Sequence, residues 1–145
     1  MSAFDEDELI KMSASGDDIR VLAARVPNLN IESTFGRVYP RFYIRGLGNA
    51  DFTMTATQPV ALYYDEVALE NPILKGMPAF DLQQIEVLRG PQGTLWGKNT
   101  PAGALHLISK KPTDDFDAYG RVTLGSYNTF NAEGAVGGSL IDGEL

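Results

Sequence analysis

The residues from Gly90 to Gly103 read GPQGTLWGKNTPAG, a glycine-rich run with a Gly-Lys pair inside it. Such a loop cradles phosphate when it follows the pattern G-x-x-x-x-G-K-[ST], so that successive backbone N–H groups wrap the anion. Taking Gly97-Lys98 as the pair puts Gln92 where the first glycine belongs and Asn99 where the magnesium-binding hydroxyl belongs. Both anchors fail. A phosphate loop must also open a helix whose N-terminus holds the anion, yet Pro101, Gly103 and the β-leaning Leu105-His106-Leu107-Ile108 follow. Two strands joined by a glycine-rich loop is the better reading.

Other chemistry is equally thin. With no cysteine and one histidine, neither a thiolate nor a histidine-cluster metal site is available. The acidic run Asp5-Glu6-Asp7-Glu8 lacks the alternating ligands and the glycine of a calcium loop. It reads as a solvated helix start, where carboxylates suit the dipole. His106 lies inside an apolar run and reads as a packing or hydrogen-bonding residue. Trp96 either stacks on a ligand or fills a gap in its own loop. No nucleophile–base pair stands out, so neither an enzyme nor a resident cofactor is expected.

The elements that position these residues follow from periodicity. Gly16 breaks the acidic helix, and Asp17 is the expected N-cap of a second one. Ile19, Leu22, Ala23 and Val26 then share a helical face, and Pro27 stops it. Leu29 and Ile31 alternate with polar neighbours, and Arg41-Phe42-Tyr43-Ile44-Arg45 is strand-like with Phe42 and Ile44 on one side. Val60 to Tyr64 and Val67 to Leu69 form a hairpin around Asp65-Glu66. Asn71 to Phe80 is loop or a single helical turn, and Ile85 and Val87 face inward from Gln84 to Leu88. Leu105 and Leu107 line one face of the next strand, which Lys110-Lys111-Pro112 ends. Thr113-Asp114-Asp115 is a polar linker.

After Phe116 the pattern changes. Val122 and Leu124 face one way, and Arg121 and Thr123 the other. Beyond the turn at Ser126-Tyr127-Asn128, Phe130, Ala132, Gly134, Val136, Gly138 and Leu140 share one face, and Asn131, Glu133, Ala135, Gly137 and Ser139 the opposite one. That run has the length of a membrane-spanning strand, about 9–11 residues, and Tyr119, Tyr127 and Phe130 fall where an aromatic girdle would. An ordinary amphipathic hairpin has the same pattern, and one hairpin cannot close a barrel. No apolar run approaches the about 20 residues of a membrane helix, and MSAFDEDELIKMS lacks the basic flank and apolar core of a signal peptide. A formal charge of −7 argues against nucleic-acid binding.

The run DLQQIEVLRGPQGTLWGKNTPAGALHLISKKP, together with LAARVPNL, RFYIRGLGN and PVALYYDEVAL, resembles the plug domain of TonB-dependent outer-membrane receptors, from about Ala3 to Pro112 in the family's order and spacing. The sequence after it resembles the family's first barrel strands. The resemblance implies an α+β fold: a small mixed-sheet plug with short helices over residues 1–115, then an antiparallel hairpin from an incomplete outer-membrane barrel over residues 116–145. It implies a plug lodged in a barrel of about 22 strands, facing the periplasm, gating uptake of a small-molecule or metal-chelate ligand such as a ferric siderophore, and pulled open by TonB. In the family the arginines of the IRG and LRGP motifs face paired glutamates on the barrel wall, and these are Arg45 and Arg89 here; the alternative is local pairing, for example with Glu86. Gly90, Gly93, Gly97 and Gly103 would permit tight turns and close backbone approach. Asn49, Asp51, Phe52, Asn71 and Met77, in the segments joining strands, are the candidates for ligand contact. Two departures stand out: Asp65-Glu66 replaces the usual Asp-Gly, and His106 a usual Asn. The expected chain is a fragment lacking the signal peptide, the TonB-contact segment, the first plug strand and most of the barrel. The competing reading is a free-standing soluble periplasmic binding module that reuses the plug fold.

Overall fold

The computed structural model describes residues 1–13, 18–36, 38–51, 53, 55–78 and 80–139. The expected cap Asp17, the break at Gly16, the candidate Phe52 and the strand residue Leu140 lie outside them. The chain divides into two units, Met1–Ser109 and Lys110–Leu145.

The first unit is built on a five-stranded mixed sheet in the order β1-β6-β7-β4-β5, from β1 (Ser2–Asp5), β4 (Val60–Tyr64), β5 (Val67–Ala68), β6 (Leu82–Arg89) and β7 (Gly103–Ser109). Only β4 and β7 run parallel. A two-stranded sheet, β2 (Leu29–Glu32) with β3 (Arg41–Ile44), forms a second layer. Alternation decides which face is buried. Register sets Leu62, Leu105 and Val87 in one row across three strands, and Tyr64, Leu107, Ile85 and Phe4 in the next. On that face they pack with Ile19, Leu22, Val26, Leu29, Ile31, Phe42 and Ile44 into one core. The opposite face carries Ala61, Ala104 and Leu88 in one row and Tyr63, His106, Glu86 and Ala3 in the next.

Three local expectations need correction. A strand, β1, stands where the sequence reading assigned none: Asp5, read as helix start, and Phe4 before it extend along β6, because Phe4 gains the core face opposite Ile85. Helix α1 starts at Glu6 and runs to Ser13, and Asp5 caps it by accepting the Glu8 N–H at 2.9 Å. The second helix is a 3-10 segment, Ile19–Ala24, capped by Asp18, whose Oδ1 accepts the Arg20 N–H at 3.0 Å. Ile19, Leu22 and Val26 are buried as expected, while Ala23 is only half-buried. The loop between β6 and β7 holds one helical turn, α2 (Gly93–Trp96), that the sequence did not announce.

The Asp65-Glu66 turn forms without glycine. Both residues take left-handed backbones, φ 45° and 69°, and Tyr64 pairs with Val67 across it.

The second unit is an antiparallel hairpin, β8 (Asp117–Gly125) and β9 (Thr129–Gly137). Register aligns the apolar residues of both strands: Ala118 with Val136, Gly120 with Gly134, Val122 with Ala132 and Leu124 with Phe130. That face is exposed, with Val122, Leu124, Phe130 and Val136 all open to solvent. The other face pairs Arg121 with Glu133 in a salt bridge and Thr123 with Asn131. Lys110 reaches Asp117 at 2.6 Å.

Candidate functional site

Arg45 and Arg89 are far apart in sequence, and the fold brings them to one place. Arg45 leaves β3 with a left-handed backbone, φ 52°, and its N–H donates to the Asn28 carbonyl at 2.9 Å. Arg89 ends β6, and its Nη1 donates to the Pro27 carbonyl at 3.4 Å. Asn28 is itself left-handed at φ 65°, so successive carbonyls of one turn meet the two arginines. A Cβ built at Gly90 would lie 3.9 Å from Arg45 Nη1, which puts that guanidinium beside the end of β6.

Neither arginine has an acidic partner among the described residues. Arg41 and Arg121, also on strands, pair with Glu32 and Glu133. Glu86 is unavailable to Arg89 for a geometric reason: strand alternation sends it to the opposite face of the sheet. There it sits across from His106, with Oε2 3.7 Å from Nδ1, and accepts from Gln84 Nε2 at 2.9 Å. Arg45 is exposed, and the Nε of Arg89 is buried without an acceptor. Two guanidinium forks with no local counter-charge form a surface that suits carboxylates, which they bind bidentately.

The glycine loop spends its own backbone donors. Gly90 N–H donates to Ala102 at 2.9 Å, Gln92 to Thr100 at 3.0 Å, and Trp96 to Gln92 at 2.8 Å. Thr100 is fully buried and closes the loop by donating to the Gly97 carbonyl at 2.7 Å. The N–H groups of Leu95, Gly97 and Ala102 are likewise engaged, by the carbonyls of Gln92, Gly93 and Pro59. Gly90, Gly97 and Gly103 take positive φ; Gly93 does not, and a Cβ there would meet nothing within 4 Å. Gly103 is the tightest of these four, since a Cβ would lie 2.2 Å from the Leu88 carbonyl oxygen and 2.7 Å from Ile44 Cδ1. Trp96 fills the gap between Tyr63 and His106, with ring centroids 4.6 Å and 4.9 Å away, and Tyr63 Oη donates to the Trp96 carbonyl. Burial, and then the Glu70 carboxylate, push the Tyr63 phenol up.

The candidates for ligand contact first serve their own loops. Asn49 donates to the Thr57 carbonyl at 3.0 Å and accepts the Asp51 N–H at 2.9 Å; Asp51 accepts the Thr53 N–H at 2.9 Å. Arg41 ties this loop down through the Ala50 carbonyl at 3.1 Å and Thr34 at 3.0 Å. Asn71 accepts the Ile73 N–H at 3.0 Å, and Met77 is exposed beyond the 3-10 turn Leu74–Gly76. No hydrogen bond joins Asn49 or Asp51 to Asn71 or Met77 among the described residues. Sequence reasoning missed Lys75. Although it lies in a proline-bounded loop, it is 3% exposed, and burial holds its amine below the usual lysine value, with Glu70 partly opposing.

Residues 1–104 match the TonB-dependent Receptor Plug Domain family. The chain belongs to that family. The pesticin receptor of Yersinia pestis is 31% identical to this plug chain over 122 residues, which are 83% of the chain and 17% of the receptor. The catecholate siderophore receptor Fiu of Escherichia coli K12 is 29% identical over 79 residues, 54% of the chain and 10% of that receptor. Among solved structures, the ferric yersiniabactin uptake receptor FyuA from Yersinia pestis superposes with a TM-score of 0.80 and 26% identity, over 98% of this chain and 22% of that one. The pyoverdine outer membrane receptor FpvA from Pseudomonas aeruginosa, at 19% identity and a TM-score of 0.72 over 97% of this chain and 19% of its own, shares the fold. The mixed sheet with few short helices is the plug fold. The chain thus spans about a sixth, 17%, of the length of the pesticin receptor it matches.

Proposed function

We propose that this chain is the plug portion of an active outer-membrane transporter, seated in its barrel on the periplasmic side and gating uptake of a scarce nutrient such as a ferric siderophore. Residues 116–145 are then the first strands of that barrel, and TonB acts on the full-length protein. The carrying observation is the convergence of Arg45 and Arg89 on the Pro27–Asn28 turn without an acidic partner among the described residues. A plug held by charge in a wet lumen stays fixed yet displaceable, whereas a continuous apolar seal would not. In this reading barrel carboxylates supply the missing partners. The pesticin, catecholate and pyoverdine receptors among the relatives support a chelate ligand.

The bare apolar face of β8 and β9 favours the transporter over a free-standing soluble periplasmic module. Deleting residues 116–145 separates the two: solubility rises for a transporter piece and stays level for a soluble module. The central test is the double charge reversal Arg45→Glu, Arg89→Glu in the receptor that carries this segment. Uptake of labelled ferric siderophore is expected to fall by about tenfold or more, because removing one partner strands a charge in the other. Unchanged uptake at equal surface abundance would overturn the charge-grip reading.

A further inference from the structure

His106 is the one histidine of the chain and Trp96 the one tryptophan. The fold sets their rings edge to face, centroids 4.9 Å apart at 60°. Both ring nitrogens of His106 are buried with no hydrogen-bond partner. A neutral imidazole in that position leaves an N–H and a lone pair unsatisfied. A protonated one gains a charge-assisted contact with Glu86, its register partner on β6, whose Oε2 lies 3.7 Å from Nδ1. The Trp96 ring belongs to α2 and is clamped on its other side by Tyr63, above a floor of Ala61 and Ala104. His106 therefore touches the one large side chain that fastens the Gly90–Ala102 loop to this face of the sheet.

We propose that His106, Glu86 and Trp96 form a proton-operated latch that fastens the Gly90–Ala102 loop to the sheet, tightest when the imidazole carries its proton. The groups facing His106 are Glu86 from β6, Tyr63 from β4, Asp65 from the β4–β5 turn and Trp96 from α2. Hydrogen bonds from Ser109 hold the Asp65 carboxyl low, so it stays ionised, and burial keeps the Tyr63 phenol neutral. The His106–Glu86 pair is left as the element whose charge pairing a proton on the imidazole would change. Proton uptake by the imidazole adds an ion pair with Glu86 to the fastened state, so the latch holds while His106 is protonated and loosens when the proton leaves. The loop begins at Gly90, beside the Arg45 guanidinium, so its looseness is felt where the two arginines meet. This latch stands independently of what the arginines bind.

The test uses the single tryptophan as its own reporter in the whole 145-residue chain. The acrylamide quenching constant of Trp96 is expected to rise about twofold between about pH 5 and pH 8, along a one-proton curve. Glu86→Gln is expected to move the midpoint to lower pH, and His106→Asn to abolish the pH dependence with the circular dichroism unchanged. A flat wild-type curve, or the same curve in His106→Asn, overturns the latch. Should His106→Asn fail to fold, an unmoved midpoint in Glu86→Gln overturns it equally.

Discussion

Phe42 and Phe130 are the same side chain in opposite circumstances. Phe42 has no exposed surface and sits among Leu29, Ile31, Ile44 and the inner rows of the sheet; Phe130 is 65% exposed on a face made only of apolar residues. The first unit closes its core with its own elements. The hairpin, by contrast, sorts its side chains as cleanly, apolar on one side and Arg121–Glu133 on the other, and leaves the apolar side uncovered. Sorting without burial has no value in water, where an exposed apolar strip this long is a liability. It has value against an apolar medium, which the proposed barrel role of the hairpin would supply.

The largest expected effect lies inside the self-contained region. Gly103→Val places a Cβ against the Leu88 carbonyl and Ile44 Cδ1, at a backbone φ of 154° that other residues rarely adopt. Ile44 Cδ1 can swing aside, but the Leu88 carbonyl belongs to the backbone, so the β6–β7 pairing must shift. Loss of cooperative unfolding for residues 1–109 is the expected result; a folded variant of wild-type stability would show that this junction is softer than its geometry.

Next comes the paired truncation. Phe42→Ala is expected to destabilise the first unit by about 3–5 kcal/mol, transfer and cavity terms together. Phe130→Ala in water is expected to move the denaturation midpoint hardly at all. Equal effects would erase the contrast between the regions. Val122→Arg sharpens it from the other side. In a bilayer-embedded receptor a lipid-facing arginine costs about 2–4 kcal/mol near the midplane, whereas in aqueous buffer the exposed face tolerates it. Heat stability of the receptor in membranes, compared with that of the chain in buffer, reads the difference. A cost in buffer and none in membranes would assign this face to a protein partner instead.

How much of this was legible beforehand follows from the range of the forces involved. Leu105 with Leu107, Ile85 with Val87 and Phe42 with Ile44 were readable because alternation is local and one face is buried. β1 was not, because Ser2–Asp5 becomes a strand through pairing with β6, and the acidic run beside it looks helical on its own. The choice of 3-10 geometry at Ile19–Ala24 and the burial of Lys75 are likewise set by distant partners. For the site, the motif resemblance singled out Arg45 and Arg89, but nothing local revealed that the Pro27–Asn28 turn would meet both. That Glu86 faces away from Arg89 was implicit in strand parity, and its pairing with His106 needed the register.

The smallest effect comes from a turn rather than a core. Asp65 Oδ1 accepts the Ser109 N–H at 2.8 Å, joining the β4–β5 turn to the end of β7. The Ser109 side chain, then its backbone N–H, hold this carboxyl below the usual value, against an opposing push from burial. A carboxyl depressed in the folded state binds its proton less readily there than in the unfolded chain. Its contribution is therefore fully present above the unfolded value of about 4, and is lost as pH falls through the lower folded value. Asp65→Asn keeps an acceptor at the turn and removes the titration. Urea midpoints measured from pH 7 down to pH 3 are expected to fall less steeply in the variant, by a small margin because the side chain is exposed. A uniform loss at every pH would instead assign Asp65 to the left-handed turn alone, where its φ of 45° already sets it apart.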